Sequence, residues 1–483
     1  MPELGRNRLS LPSRAGGRVS LRWATAFVAL LTWLVSPNVA SAHGALRRSA
    51  PAAGASLDTI PRELRLEFNE RVELRFTRVV LVGPDSEAVA LGELTYGDST
   101  RRLVSAIPSV DLTPGRYEVR WQTAGADGHP TRGRFAFSVR ANATRPLPSA
   151  APSTAEGSES GEGAQGASVA AMPSAASEQH SPDDAALFGE RSVAYVVVRW
   201  IQYLAVFLLV GAFVFARVVL PRAAASGEEP NSLAVTARVR ALRIGALASA
   251  ALIAIQGARF VAQREALRGG GDFALDVSAA DMLLGSVWGT GLLLLLLGSG
   301  ISLLGFRKIR SSGRDTTLLV VLGIVATAVG LALSGHQAAS RVGAPLGVVI
   351  DVTHVLATAG WLGTLALLVL TGIPGASAED TIDHVHVARI LRAFSPVVLV
   401  AAAVGGATGL VLAGVNLGSV VAVWQSDYGR VLLIKLGVLS LVAGSGAYNW
   451  RRVLPTLGTP SATAALRRSA TVEAIVAVGV VGV

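Results

Sequence analysis

Cysteine is absent from all 483 residues, which excludes disulfides, thiolate metal sites and Cys-x-x-Cys redox chemistry. Methionine is nearly absent too: Met1, Met172 and Met282 are the only three, so no thioether-rich cluster for a soft metal can form. Any bound metal must be held by the seven histidines, by carboxylates, by a lone Met or by backbone groups. No GxxxxGK[ST] phosphate loop is present, which leaves no P-loop nucleotide site. The chain has no separate basic patch either. Its net charge of +10 comes mainly from arginines flanking hydrophobic runs, which is where helix orientation in a bilayer puts them, and nucleic acid is not expected as a partner.

What the chain does have is unevenly distributed. Residues 1–42 combine five arginines, Arg6 to Arg22, the apolar stretch "ATAFVALLTWLV" and the small-residue pattern Ala40-Ser41-Ala42. That is the order of a secretory signal peptide, and cleavage after Ala42 would make His43 the mature N-terminus. Residues 43–140 carry short alternating runs such as "LRLEF", "FTRVVLV", "RYEVRW" and "RFAFSV", separated by turn formers. This spacing predicts an all-β sandwich or barrel of about a hundred residues. Residues 141–187 are Ala, Ser, Gly, Pro and Glu with little to bury, the composition of a disordered linker.

From 188 to 483 the sequence predicts an all-α, polytopic membrane domain. Apolar runs lie at 193–219, 241–262, 282–305, 316–336, 346–372, 393–416 and 431–450, and an eighth begins near Thr471 and is cut short at Val483. Export of the β-domain sets the first helix running outside to inside. The arginines and lysine at 217–243, 307–314, 389–392 and 451–468 then fall on cytoplasmic sides, as the positive-inside rule requires. The expected location is therefore the bacterial plasma membrane, with the lipid bilayer as a partner and the β-domain on the extracytoplasmic side.

In the β-domain the two histidines are His43 and His129, the latter in "ADGHPTRGRF". Asp127 and His129 are two apart, so an extended backbone would turn both to one side. A terminal His43 would add an imidazole and an α-amino group whose ordinary pKa of about 8 lets a metal displace the proton. Such a nitrogen and oxygen set suits tetragonal Cu(II), and zinc would accept it as well. The competing reading is a solvated turn at His129 and a processing accident at His43. Within the spans, His336 ends the fourth run, and Asp351 and His354 stand at i and i+3 in the fifth, all toward the outer side. They read either as a metal pathway or as an interhelical hydrogen bond in which Asp351 orients His354. Haem ligation by His336 and His354 is a third reading, disfavoured because the four-histidine pattern of a two-haem bundle is missing. Weaker candidates are His384 and His386 in a cytoplasmic loop, where an ion leaving the membrane could be received, and Met282 opening the third run.

The segments "HGALRRSAPAAGASL", "LRLEFNERVEL" and "LTPGRYEVRWQTAGADGHPTRGRFAFSV" resemble the CopC family of exported copper-binding proteins. This resemblance implies a Greek-key β-barrel and a Cu(II) site made by His43, Asp127 and His129. With no methionine in the head, no thioether Cu(I) site is expected there. "LSGHQAASRVGAPLGVVIDVTHVLATAGWLGTLALL" and the stretch containing "YGRVLLIK" resemble the CopD family of copper-transport membrane proteins, and the order of the two resembles CopC/CopD fusions of the YcnJ type.

The resemblance implies copper import, with Cu(II) captured outside, Cu(I) in the membrane domain, and His336, Asp351 and His354 as membrane ligands. An external reductant or copper chaperone is an implied partner. The alternative from another class is copper resistance by sequestration, or sensing, without transport. An enzyme is not expected: a copper oxygenase would need open an equatorial position that Asp127 fills.

Overall fold

The computed structural model describes residues 46–125, 128, 130–144, 193–224, 232–268, 278–312, 315–335, 344–373 and 381–482. They fall into two compact units. One holds all the strands together with residues 263–268 and 278–282; the other holds the remaining helices.

The strand unit is a two-sheet sandwich. Its strands are β1 (Leu46–Ala50), β2 (Ser56–Thr59), β3 (Leu64–Phe68), β4 (Arg78–Val82), β5 (Ala88–Val89), β6 (Thr95–Tyr96), β7 (Leu103–Ala106), β8 (Gly115–Ala124) and β9 (Pro130–Thr144). One sheet runs β1-β3-β7-β6 and the other β2-β9-β8-β4-β5. The alternation read from the sequence is the cause: Leu64, Leu66 and Phe68 of β3 point inward, as do Tyr117, Val119 and Trp121 of β8. Phe68 meets Trp121 edge-on at 5.2 Å, joining the two sheets, while Tyr117 stacks on Phe137 at 5.4 Å. The Tyr117 hydroxyl donates to the Thr113 carbonyl at 2.8 Å, giving a buried phenol its partner.

Trp121 also explains a glycine. Its register partner on β9 is Gly133, where a Cβ would come within 2.5 Å of the indole, so only glycine leaves room for the ring.

Among the described residues eight long helices follow: α1 (Ala194–Ala224), α2 (Ser232–Arg268), α3 (Val287–Ser312), α4 (Thr317–Leu333), α5 (Pro345–Gly372), α6 (Thr381–Leu417), α7 (Tyr428–Thr456) and α8 (Pro460–Gly482). Six are long and apolar enough to cross a membrane; α4 is a shorter apolar helix. The eighth is 23 residues long because its polar first half, PSATAALRRS, is helical along with the apolar half read from the sequence.

Two other boundaries move outward for the same reason. The second starts at Ser232 rather than 241, and the sixth starts at Thr381 rather than 393. Asp383 to His386 are therefore helical, where the sequence pointed to a loop. The apolar stripe of Val387, Leu391 and Phe394 extends back one turn to His384, whose burial at 2% exposure holds that turn on the core.

Close helix approach depends on glycine at a few positions. A Cβ on Gly211 of α1 would collide with the backbone of Gly363 in α5, inside the π-helical turn Ala359–Gly363. Gly298 of α3 likewise lies against the Gly323 carbonyl of α4, where a Cβ would sit 2.6 Å away.

Candidate metal sites

The three head ligands expected from the sequence, His43, Asp127 and His129, lie outside the described residues, and so does His336. The frame around the first three is described. Strands β8 and β9 form a hairpin whose last pair is Ala124 with Pro130. Gly125 is bridged to Val72, and the Glu73 N–H donates to Ala124 O at 3.0 Å. Gly128 closes a turn onto Gly125 at 2.9 Å with φ of 81°, a left-handed conformation that glycine adopts at little cost.

β1 begins at Leu46, paired with Phe68. Because the pairing is antiparallel, Leu46 lies where β3 leaves toward Val72, and Val72 is bridged to Gly125 at the end of β8. Register thus brings Leu46 and Gly125 to one end of the sandwich.

That end is polar. Glu73 is half-buried, and burial pushes its carboxyl up from the ordinary range against the pull of Arg101, Arg75 and Arg71. In the same unit the last turn of α2 presents its carbonyls to the hairpin. Gln122, fully buried, donates to Leu267 O at 3.0 Å; Arg132 donates to Ala266 O at 3.0 Å and to Gln122 Oε1 at 2.7 Å. Gln263 donates to Gly128 O. Gln122 and Arg132 satisfy carbonyls that a helix C-terminus leaves without partners. Sequence reasoning missed Gln122 and Arg132, because a polar residue on a strand gives no signal of a distant helix end.

In the helical unit, Asp351 and His354 lie on one face of α5, both half-buried. His354 Nδ1 is 2.9 Å from the Gly405 carbonyl and 3.2 Å from Thr408 Oγ1, both on α6. A carbonyl can only accept, and Thr408 spends its own proton on Val404 O at 2.7 Å, so the ring proton is on Nδ1 and Nε2 carries the lone pair. The partners that orient the ring are thus on α6. Among the described residues no group of three or more His, Asp or Glu could hold a metal.

His384 Nδ1 lies 3.0 Å from Thr463 Oγ1 of α8. His386 is half-buried on the same first turn of α6. Met282 is fully buried in a separate short helix, Ala279–Leu284, and the third span starts after it at Val287.

Comparison with known families matches three stretches in order. Residues 46–140 match the CopC domain, 190–348 the copper resistance protein D-like N-terminal domain, and 388–483 copper resistance protein D. The chain belongs to the CopC/CopD fusion proteins. Protein YobA of Escherichia coli K12 is 35% identical over 121 residues, 25% of this fusion and 95% of YobA. Copper transport protein CutJ of Bacillus subtilis strain 168 is 24% identical over 440 residues, 89% of the fusion and 71% of CutJ. The crystal structure of PcoC, a methionine-rich copper resistance protein from Escherichia coli, aligns over its whole chain and 20% of the fusion, with 29% identity and a TM-score of 0.19. Membership places the fusion among proteins of copper resistance and transport, built as a β-sandwich followed by a mostly helical, multi-pass part.

Proposed function

We propose that the fusion captures Cu(II) on the outer side of the plasma membrane with the β-domain and passes copper to the helices for import. The observation that carries the first half is strand register. Leu46, which opens β1, and Gly125, which ends β8, lie at one end of the sandwich, and this supports a site shared by a mature N-terminal His43 with Asp127 and His129. Two imidazoles, an α-amine and a carboxylate make a nitrogen and oxygen set suited to tetragonal Cu(II).

The second half rests on Asp351 and His354. The α6 contacts fix the His354 tautomer with Nε2 carrying the lone pair, the arrangement of metal-binding histidines whose other nitrogen donates to a backbone carbonyl. His336 completes the outer set. Import into a reducing cytoplasm calls for Cu(I), supplied by a reductant or chaperone outside this chain.

Resistance by capture alone is the second reading. It is supported by the match of residues 388–483 to copper resistance protein D. Cellular copper separates the two. Import predicts that expressing the fusion raises accumulated copper and that His354→Ala abolishes the rise; accumulation independent of His354 supports capture alone.

A further inference from the structure

A second histidine of the helical unit has its ring anchored through Nδ1, as His354 does, and it stands at the far end of α6, the helix that anchors the His354 ring. His384 occupies the first turn of α6 at 2% exposure, against the first turn of α8. Its Nδ1 lies 3.0 Å from Thr463 Oγ1, and Thr463 donates its own proton to Thr459 O at 3.1 Å. The hydroxyl must therefore accept, which puts the ring proton on Nδ1 and the lone pair on Nε2. That Nε2 is buried and has no hydrogen-bond partner among the described residues. A buried polar atom left unpaired costs about 1–3 kcal/mol, so its retention here needs a reason.

Packing alone supplies none. The stripe that continues from His384 is Val387, Leu391 and Phe394, and a leucine at 384 would extend it with no orphaned atom. A buried nitrogen lone pair, with the opposite ring nitrogen anchored, is the form in which imidazole binds a metal. His354 meets α6 at Gly405, which lies about 30 Å from His384 along that helix at 1.5 Å per residue, close to the thickness of a hydrocarbon core.

We propose that His384 is a transit ligand for the copper ion, with Nε2 as donor atom, at the opposite end of α6 from His354. The assignment rests on the transport reading above. One anchored imidazole makes a weak site, and the positive ends of two helix macrodipoles weaken it further. Weak binding is what a release point requires, since an ion that moves on must not be held tightly.

The test uses the full chain in lipid vesicles with histidine ring nitrogens labelled with 15N, read by solid-state NMR during anaerobic titration with Cu(I). The signal of His384 is assigned by its loss in His384→Gln. Before copper, it should show a protonated Nδ1 and an unprotonated Nε2; with Cu(I), the Nε2 signal should leave the unprotonated position while Nδ1 stays protonated. Thr463→Val, which removes the anchor and keeps the histidine, should weaken Cu(I) binding at this site by about 10–100-fold in competition with a Cu(I) chelator.

An Nε2 signal unmoved at saturating Cu(I) overturns the proposal, as does unchanged affinity in Thr463→Val. The titration needs no transport. Uptake with an unmoved Nε2 sinks this assignment and leaves import standing, whereas a shifted Nε2 without uptake does the reverse.

Discussion

Gly409 of α6 lies against the imidazole of His354 on α5, so close that a Cβ there would be 2.9 Å from Cε1. Three positions away, Gly406 is exposed and has open space where a Cβ would go. The two glycines separate the chemistry of the histidine from the general tolerance of the helix.

Gly409→Ala should push the His354 ring off the Gly405 carbonyl and lower copper accumulation nearly as far as His354→Ala does. Gly406→Ala, an equally conservative change on the same helix, should leave accumulation unchanged. Accumulated copper in cells expressing each variant at matched levels checks both, and equal effects from the two glycines would contradict the role given to the His354 contact.

Gly133→Ala places a methyl against the Trp121 indole, which is already held edge-on by Phe68. The expected loss is about 1–3 kcal/mol, the usual cost of overpacking a filled core. Chemical unfolding of the full chain should show a lowered midpoint for the transition that changes the environment of Trp121.

Two carboxylates of the β-domain should respond to acid in opposite directions. Burial tends to raise Asp98, but hydrogen bonds from Thr100 and the N–H groups of Leu103, Arg102 and Arg101 outweigh it and hold the group below its ordinary value. Its contribution is present above the unfolded pKa and lost as pH falls through the lower folded one. Glu73, raised by burial, destabilises the fold above its folded pKa, and the penalty disappears as pH falls to the ordinary carboxylate range. Glu73→Gln should therefore raise thermal stability at pH 7 and lose that advantage in acid, whereas Asp98→Asn should lower stability at pH 7 and converge with the parent in acid. Melting curves across pH check both signs.

Much of this architecture was legible because period and length are strong signals. Leu64, Leu66 and Phe68 alternate as a half-buried strand must, and the apolar runs are too long for anything but buried or membrane helices. The turn holding His384 was not legible: Asp-His-Val-His looks solvated until the stripe through Val387, Leu391 and Phe394 is traced back by one turn. Contacts such as Gly211 with Gly363 depend on which helices face each other, and spacing along one helix carries no such information. The head site is read from residue types at His43, Asp127 and His129, which lie outside the described residues; strand register speaks only for their neighbours Leu46 and Gly125, which lie at one end of the sandwich.

The central claim is that export creates the copper site by freeing the amine of His43. Electron paramagnetic resonance of Cu(II) bound to the chain beginning at His43, against a chain with one additional alanine before it, tests this directly. The account predicts a nitrogen-rich tetragonal spectrum for the first, and for the second a weaker affinity with an altered spectrum. Equal affinities and identical spectra would contradict it.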